Sequence, residues 1–213
     1  MGTSFTRDVR KEMIGYESND VIRQFEKTIA KHCGAKYGIA TESCTSALFL
    51  SCLHCKVEEV TIPKKTYFSV PFSIKHAGGS VKFRDIKWSG AYQLKPYPII
   101  DSAVRFKKDM YKKGFFVCLS FHYSKHIPIG RGGMILTDSK KAADWFRLMR
   151  FDGRKEIPKE KDKVKLVGFN MYMTPEQAAR GLSLFYWRFY GKKNPADIDM
   201  NYMDISYMQR RLE

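Results

Sequence analysis

Residues 115–137 read FFVCLSFHYSKHIPIGRGGMILT. The two apolar runs inside this stretch, Phe115–Phe121 and Gly133–Thr137, are short, rich in β-formers and bounded by glycine or polar residues, which is the pattern of buried strands. They are continuous rather than alternating, so both faces of each strand must be covered. Downstream, Ala142 to Arg150 has helical spacing, and upstream Tyr97-Pro98-Ile99-Ile100-Asp101 is a third apolar run that ends in a carboxylate. Strands interleaved with helices in this way predict an α/β sheet with helices on both faces.

Farther out, residues 20–33 carry apolar side chains at helical spacing, with Asn19 or Asp20 as a cap and Gly34 as the stop. Tyr37–Thr41 reads as a buried strand. The cluster Ser43-Cys44-Thr45-Ser46 then caps an apolar helix running to Cys55. Val60–Ile62 is a strand closed by Pro63, Tyr67–His76 a helix before the Gly78-Gly79 turn, and Ser80–Asp85 an alternating strand, whereas Lys87–Pro96 resembles no long element. The lysine-rich run from Lys155 through Lys159 to Lys165 predicts an exposed loop. Thr174-Pro175-Glu176 opens a last helix with an N-cap and a proline in its first turn. No repeat or low-complexity segment interrupts this order.

With 213 residues, 44% of them hydrophobic, the chain can bury one respectable core, and one domain is expected. The stretch after Met1, up to Arg7, has no apolar region of the kind that directs secretion, and no run elsewhere is long enough to span a bilayer, so a cytosolic protein away from membranes is expected. Five scattered cysteines suit reduced thiols better than a disulfide framework, and Cys52-Leu53-His54-Cys55 lacks the second cysteine pair of a zinc site. The net charge of +16 favours anionic partners such as nucleotide-linked sugars or a phosphorylated cofactor. The charge is spread along the chain without a nucleic-acid-binding module, so nucleic acid is not an expected partner.

In sheets of this type, ligands collect at the carboxyl ends of the strands. Four polar features fall there. The turn Ser43–Ser46 presents helix-start N–H groups and hydroxyls to an anion. Asp101 closes an apolar strand, where an isolated charge is costly without a cationic partner. Ser120 closes another, and Lys125 follows five residues later, where a partly buried amine is available for Schiff-base chemistry. Each feature alone is more readily a cap, a strand-end carboxylate or a surface lysine; their order and spacing point to one site.

That order carries a resemblance. From Phe25 to Phe185 the chain resembles the DegT/DnrJ/StrS family of sugar aminotransferases, in six successive segments: Ser43-x-Thr45-x-Ala47, Pro63-x-x-Thr66-Tyr67, Asp101-x-Ala103, Ser120-Phe121-x-x-x-Lys125, Gly132–Thr137 and Gly168–Met173. The resemblance implies the large domain of a fold-type-I pyridoxal 5'-phosphate (PLP) enzyme, three layers α/β/α around a mostly parallel sheet, here shortened. It implies a reduced cofactor-binding unit over residues 1–190 and a residual tail over 191–213. It also implies roles: Lys125 as the Schiff-base lysine and Asp101 as the partner of the pyridine nitrogen, Tyr67 and Ala103 on the two ring faces, and Cys44, Thr45, Ser46 and Ser120 at the phosphate. Asn170 would reach the phosphate of a neighbouring subunit, so a homodimer with shared sites is expected.

Departures from the family pattern are Cys44 in place of a glycine, Val104 in place of a glutamine after Asp101-x-Ala103, Tyr172 in place of an arginine, and His126 after the lysine. The family also has a further strand and helix between Ile86 and Tyr97, and a domain after the helix at 178–190 that closes over the substrate. The expected function is transfer of an amino group from an amino acid, with glutamate as donor, to a keto acceptor of the keto-sugar nucleotide type or a small keto acid. The sugar-dehydratase branch of the family replaces the lysine with histidine, and Lys125 argues against it. A contrasting reading is a PLP- or sugar-nucleotide-binding protein without turnover, acting as a regulator or partner subunit; retention of both Lys125 and Asp101 favours the enzyme.

Overall fold

A computed structural model describes residues 18–157 and 161–212; the stretch through Arg7 discussed above, Lys159 and Glu213 lie outside the described residues. Helix α1 (Ser18–Cys33) leads into strand β1 (Tyr37–Thr41) and helix α2 (Cys44–Cys55). Strand β2 (Glu59–Pro63), helix α3 (Ser69–His76) and strand β3 (Ser80–Arg84) form a parallel unit. Strands β4 (Tyr92–Gln93), β5 (Ile99–Asp101), β6 (Phe116–Ser120) and β7 (Gly133–Thr137) follow, then helices α4 (Lys140–Met149) and α5 (Pro175–Arg188), a 3-10 turn (Ser206–Met208) and the short α6 (Gln209–Leu212).

The main sheet has the order β1-β7-β6-β5-β4. Alternate residues of its strands enter two separate cores. Ile39, Cys118 and Ile135 pack with α2, α3 and α4, whereas Ala40, Val117, Leu119, Met134 and Leu136 pack with α1 and α5. This division into two cores makes three layers, as expected for buried strands with period two. The sheet is mixed, however, rather than mostly parallel: β5 and β6 run parallel, as do β2 and β3, but β1–β7, β7–β6 and β4–β5 are antiparallel. The β6–β7 pairing has a local cause, because residues 121–132 contain no helix to carry the chain across the sheet and instead return it alongside itself. Backbone bonds between Thr61 and Lys95 attach the β2–β3 pair to the chain leaving β4.

Element ends follow the sequence to within a few residues: the helix expected from Tyr67 starts at Ser69 and the strand expected from Tyr97 starts at Ile99. Helix α1 already includes Asn19 and Asp20, which therefore sit in its first turn rather than at its cap, where Asp20 faces the positive end of the helix dipole. Gly34, at φ +83°, ends the helix in a conformation that a side chain would oppose. Thr174 caps α5 through a reciprocal capping box with Gln177, with Pro175 in the first turn. In the lysine-rich run, Lys155, Lys161, Lys163 and Lys165 are exposed. No helix among the described residues is long and apolar enough to cross a membrane.

One polar clamp lies inside the packing. Arg150, only 1% exposed, donates to Glu26 on α1 at 2.5 Å, to Glu156 at 2.7 Å and to the carbonyl of Ala40 on β1, while Glu26 also accepts from the Ala40 N–H at 2.8 Å. The clamp therefore ties α1 and β1 to the C-terminal end of α4, which Arg150 caps. Removing Glu26 takes from the buried Arg150 one of its two carboxylates and leaves the Ala40 N–H without its acceptor. Glu26→Ala is expected to lower unfolding stability by about 3–5 kcal/mol in a urea titration, and a loss below about 1 kcal/mol would show the clamp to be dispensable.

Candidate active site

The carboxyl ends of β1, β5 and β6 and the loop after β6 converge on one cleft. Asp101, 6% exposed at the end of β5, accepts from the Tyr92 hydroxyl at 2.9 Å and from the Ala103 N–H at 3.0 Å. Burial pushes its pKa up; the two hydrogen bonds and the positive charge of Lys125 oppose that shift. Lys125 is half-buried, and its pKa moves the other way: burial lowers it, while the Asp101 charge and then Cys44 pull it back. Burial thus disfavours both charges, and the two groups offset part of each other's desolvation.

The Ser43–Ser46 turn begins α2. Ser43, in extended backbone at φ −160°, is the N-cap, and its Oγ accepts from the Ser46 N–H at 3.1 Å. The Ala47 N–H reaches the Ser43 carbonyl at 3.1 Å. This leaves the N–H groups of Cys44 and Thr45, at the positive end of the helix, without a protein acceptor among the described residues. The Ser46 hydroxyl turns inward to Ser43 and Glu42, and the Thr45 hydroxyl pairs with Ser69 at 2.7 Å. Cys44, where a glycine would be usual, is helical and outside the positive-φ region, so the substitution costs no backbone strain. Burial raises the Cys44 thiol pKa well above its ordinary value, reinforced by the nearby Asp101 and Cys118 and opposed by Lys125.

Of the residues singled out from sequence, the cleft brings Lys125, Asp101, Ala103 and Cys44 together. Tyr67 stands at its mouth, 53% exposed. The half-buried Ser120 accepts weakly from the His122 N–H at 3.4 Å. Asn170 is exposed and pairs through its backbone with Phe151; among the described residues no hydrogen bond of its side chain joins it to the cleft. Three residues escaped the sequence reading. Thr66 and Tyr92 form a chain to the carboxylate, with the Thr66 hydroxyl 2.5 Å from the Tyr92 hydroxyl. Tyr202 places its hydroxyl 3.4 Å from the Lys125 amine and its ring 5.9 Å from that of Trp88 and 6.4 Å from that of Tyr67. The motif neighbour Thr66 gave a hint of the first pair, but Tyr202 lies 77 residues beyond Lys125 and no local pattern marks it.

A family model described as the DegT/DnrJ/EryC1/StrS aminotransferase family matches residues 7–105 and 106–185. The chain belongs to this family. Among curated relatives, it is 25% identical to the spore coat polysaccharide biosynthesis protein SpsC of Bacillus subtilis and 27% identical to GDP-perosamine synthase of Caulobacter vibrioides, over 76% of this chain in each case. It spans 55% of the length of both. The solved structure of Helicobacter pylori PseC superposes with a TM-score of 0.63 at 17% identity, covering 78% of this chain and 57% of PseC. NtdA from Bacillus subtilis superposes at 0.66 and 22%, covering 78% of this chain and 48% of NtdA. These superpositions show the fold-type-I fold.

The start of α2 depends on one close approach. A Cβ on Gly133 of β7 would lie 2.3 Å from the Ser43 carbonyl carbon and 2.5 Å from the Cys44 nitrogen. Gly133→Ala should therefore push the Ser43–Ser46 turn off the sheet and destabilise the fold by roughly 1–3 kcal/mol; an unchanged denaturation midpoint would mean that the turn has room to spare.

Proposed function

We propose that this chain is a PLP-dependent aminotransferase that takes an amino group from an amino acid, with glutamate as donor, and delivers it to a keto-sugar nucleotide. The observation that carries this reading is the meeting, in one cleft at the strand ends, of a buried carboxylate and a half-buried lysine whose amine burial drives toward its neutral form. The names of relatives support the substrate class: one is a GDP-perosamine synthase, and PseC is an aminotransferase in the biosynthesis of pseudoaminic acid. The net charge of +16 suits an acceptor bearing phosphates.

The donor set fits the cofactor. A buried carboxylate matches a protonated ring nitrogen, a neutral amine matches an aldehyde, and helix-start N–H groups match a phosphate. When bound, PLP supplies an electron sink beside the substrate carbon. The residues of the chain do the rest. Asp101 holds the ring-nitrogen proton, and Tyr92 and Ala103 fix the orientation of its carboxylate. Lys125 Nζ, in its neutral form, would hold the cofactor through its aldehyde and, when a substrate amine takes that place and frees it, would carry a proton to and from the substrate carbon. The N–H groups of Cys44 and Thr45, with the Ser120 hydroxyl, would bind the phosphate, whereas Ser46, whose N–H and hydroxyl are held by Ser43 and Glu42, supports the turn from behind. Tyr67 would cover one ring face and Ala103 would lie against the other. The exposed Asn170 serves the site of a second copy, which makes the working unit a homodimer, and its place is the cytosol.

Because its pKa is lowered, Lys125 is neutral in a larger fraction of molecules near neutral pH than a surface lysine. Brief exposure to PLP followed by borohydride should therefore label Lys125 ahead of the other lysines by peptide mapping; labelling spread evenly over the surface would remove Lys125 from this role. The shared site has its own test. Lys125→Ala and Asn170→Ala chains, each inactive alone, should recover part of the activity when mixed, since one hybrid site then carries both intact residues. Failure of rescue between folded dimers would return Asn170 to its own subunit's surface.

A further inference from the structure

After α5 the chain crosses the cleft mouth, anchored at two places. On the near side, the carbonyl of Ala196 lies 3.0 Å from His126 Nε2, Asp197 pairs with Arg105 at 2.6 Å and Lys107 at 2.9 Å, and the Ile198 N–H bonds the Val104 carbonyl at 2.9 Å. On the far side, Asp204 pairs with Lys64 at 3.3 Å and the Ile205 N–H bonds the Lys64 carbonyl at 2.9 Å. Ile205, Met208 and Leu212 then enter the core beside α3 and β3. Between the anchors, residues 199–203 touch the body of the protein chiefly through Tyr202. Asn201, in the left-handed region at φ +43°, turns the chain so that this ring enters the cleft, whereas Met203 is 59% exposed.

The ring lies among Tyr67, Trp88 and Lys125, with its hydroxyl 3.4 Å from the reactive amine. A carbonyl carbon that bonds Nζ must come closer to that nitrogen than the phenol now stands, so a group entering from the Tyr202 side meets the ring. The same span also lines a cavity of about 600 Å³, whose walls include Lys64, Lys87, Trp88, Asp199, Asn201 and Tyr202 but neither Lys125 nor Asp101. Tyr202 is thus the wall between this cavity and Lys125, and the cavity gives the ring somewhere to go.

We propose that residues 199–203 form a flap in which Tyr202 closes the Lys125–Asp101 cleft and is displaced outward when a phosphorylated aldehyde cofactor loads, both anchors staying in place. The inference rests on the PLP reading above, and its test separates the two. Wild-type and Tyr202→Ala apo-proteins are mixed with excess PLP, quenched with borohydride at timed intervals and mapped for pyridoxyl-Lys125. The expected result is loading at least tenfold faster in Tyr202→Ala. Chymotryptic cleavage after Tyr202 in the wild type should also increase once PLP is bound. Equal rates, or slower and weaker loading in the variant, would overturn the flap while leaving the cofactor assignment standing; the latter result would make Tyr202 a support for the cofactor. No labelling of Lys125 in either protein would overturn both.

Discussion

A carboxylate at the end of an apolar strand faces a large desolvation penalty, and the cleft is organised around offsetting it at Asp101. One oxygen takes a backbone N–H from the residue two places on, the other takes the hydroxyl of Tyr92, and a lysine amine stands close enough to act on it electrostatically. Each partner comes from a different part of the chain, so the carboxylate can be satisfied only when β4, β5 and the loop after β6 are all in place. Satisfying the charge therefore also assembles the cleft. The two hydrogen bonds keep Asp101 oriented, and the incomplete compensation leaves Lys125 with a proton that it gives up more easily than usual.

The same dependence on long-range partners explains which features could be read from the sequence. Strands β1, β6 and β7 stand out as short apolar runs because both of their faces are buried, and the start of α5 is written in Thr174-Pro175 because capping is a local interaction. Lys125, Asp101 and the Ser43 turn were visible through their spacing along strand ends. Strand direction was not visible. A helix-free connection from β6 to β7 favours antiparallel return, but a run of apolar residues looks the same either way round. Nor do Arg150, Tyr92 and Tyr202 carry a local signal: a buried arginine and two tyrosines look ordinary until the fold brings Glu26, Asp101 and Lys125 to them.

Cys44 shows how a departure from a family pattern can be neutral in one respect and consequential in another. A cysteine at the head of α2 adopts helical geometry without strain, so the turn keeps its shape. Its thiol, however, is packed beside the cleft's charges, and burial keeps it protonated and unreactive at ordinary pH. The cleft therefore gains bulk at this position without gaining a reactive thiolate.

The anchors of the 199–203 span have a kinetic consequence. The Arg105 guanidinium holds the Asp197 carboxyl down at about 2, so this anchor persists through any physiological acidity, and the other end is tied into the core. A side chain tethered on so short a span cannot diffuse away when it leaves the cleft. It remains at an effective concentration on the order of millimolar, so whatever occupies the space beside Lys125 must outbid a competitor that is always present and returns as soon as the space is free.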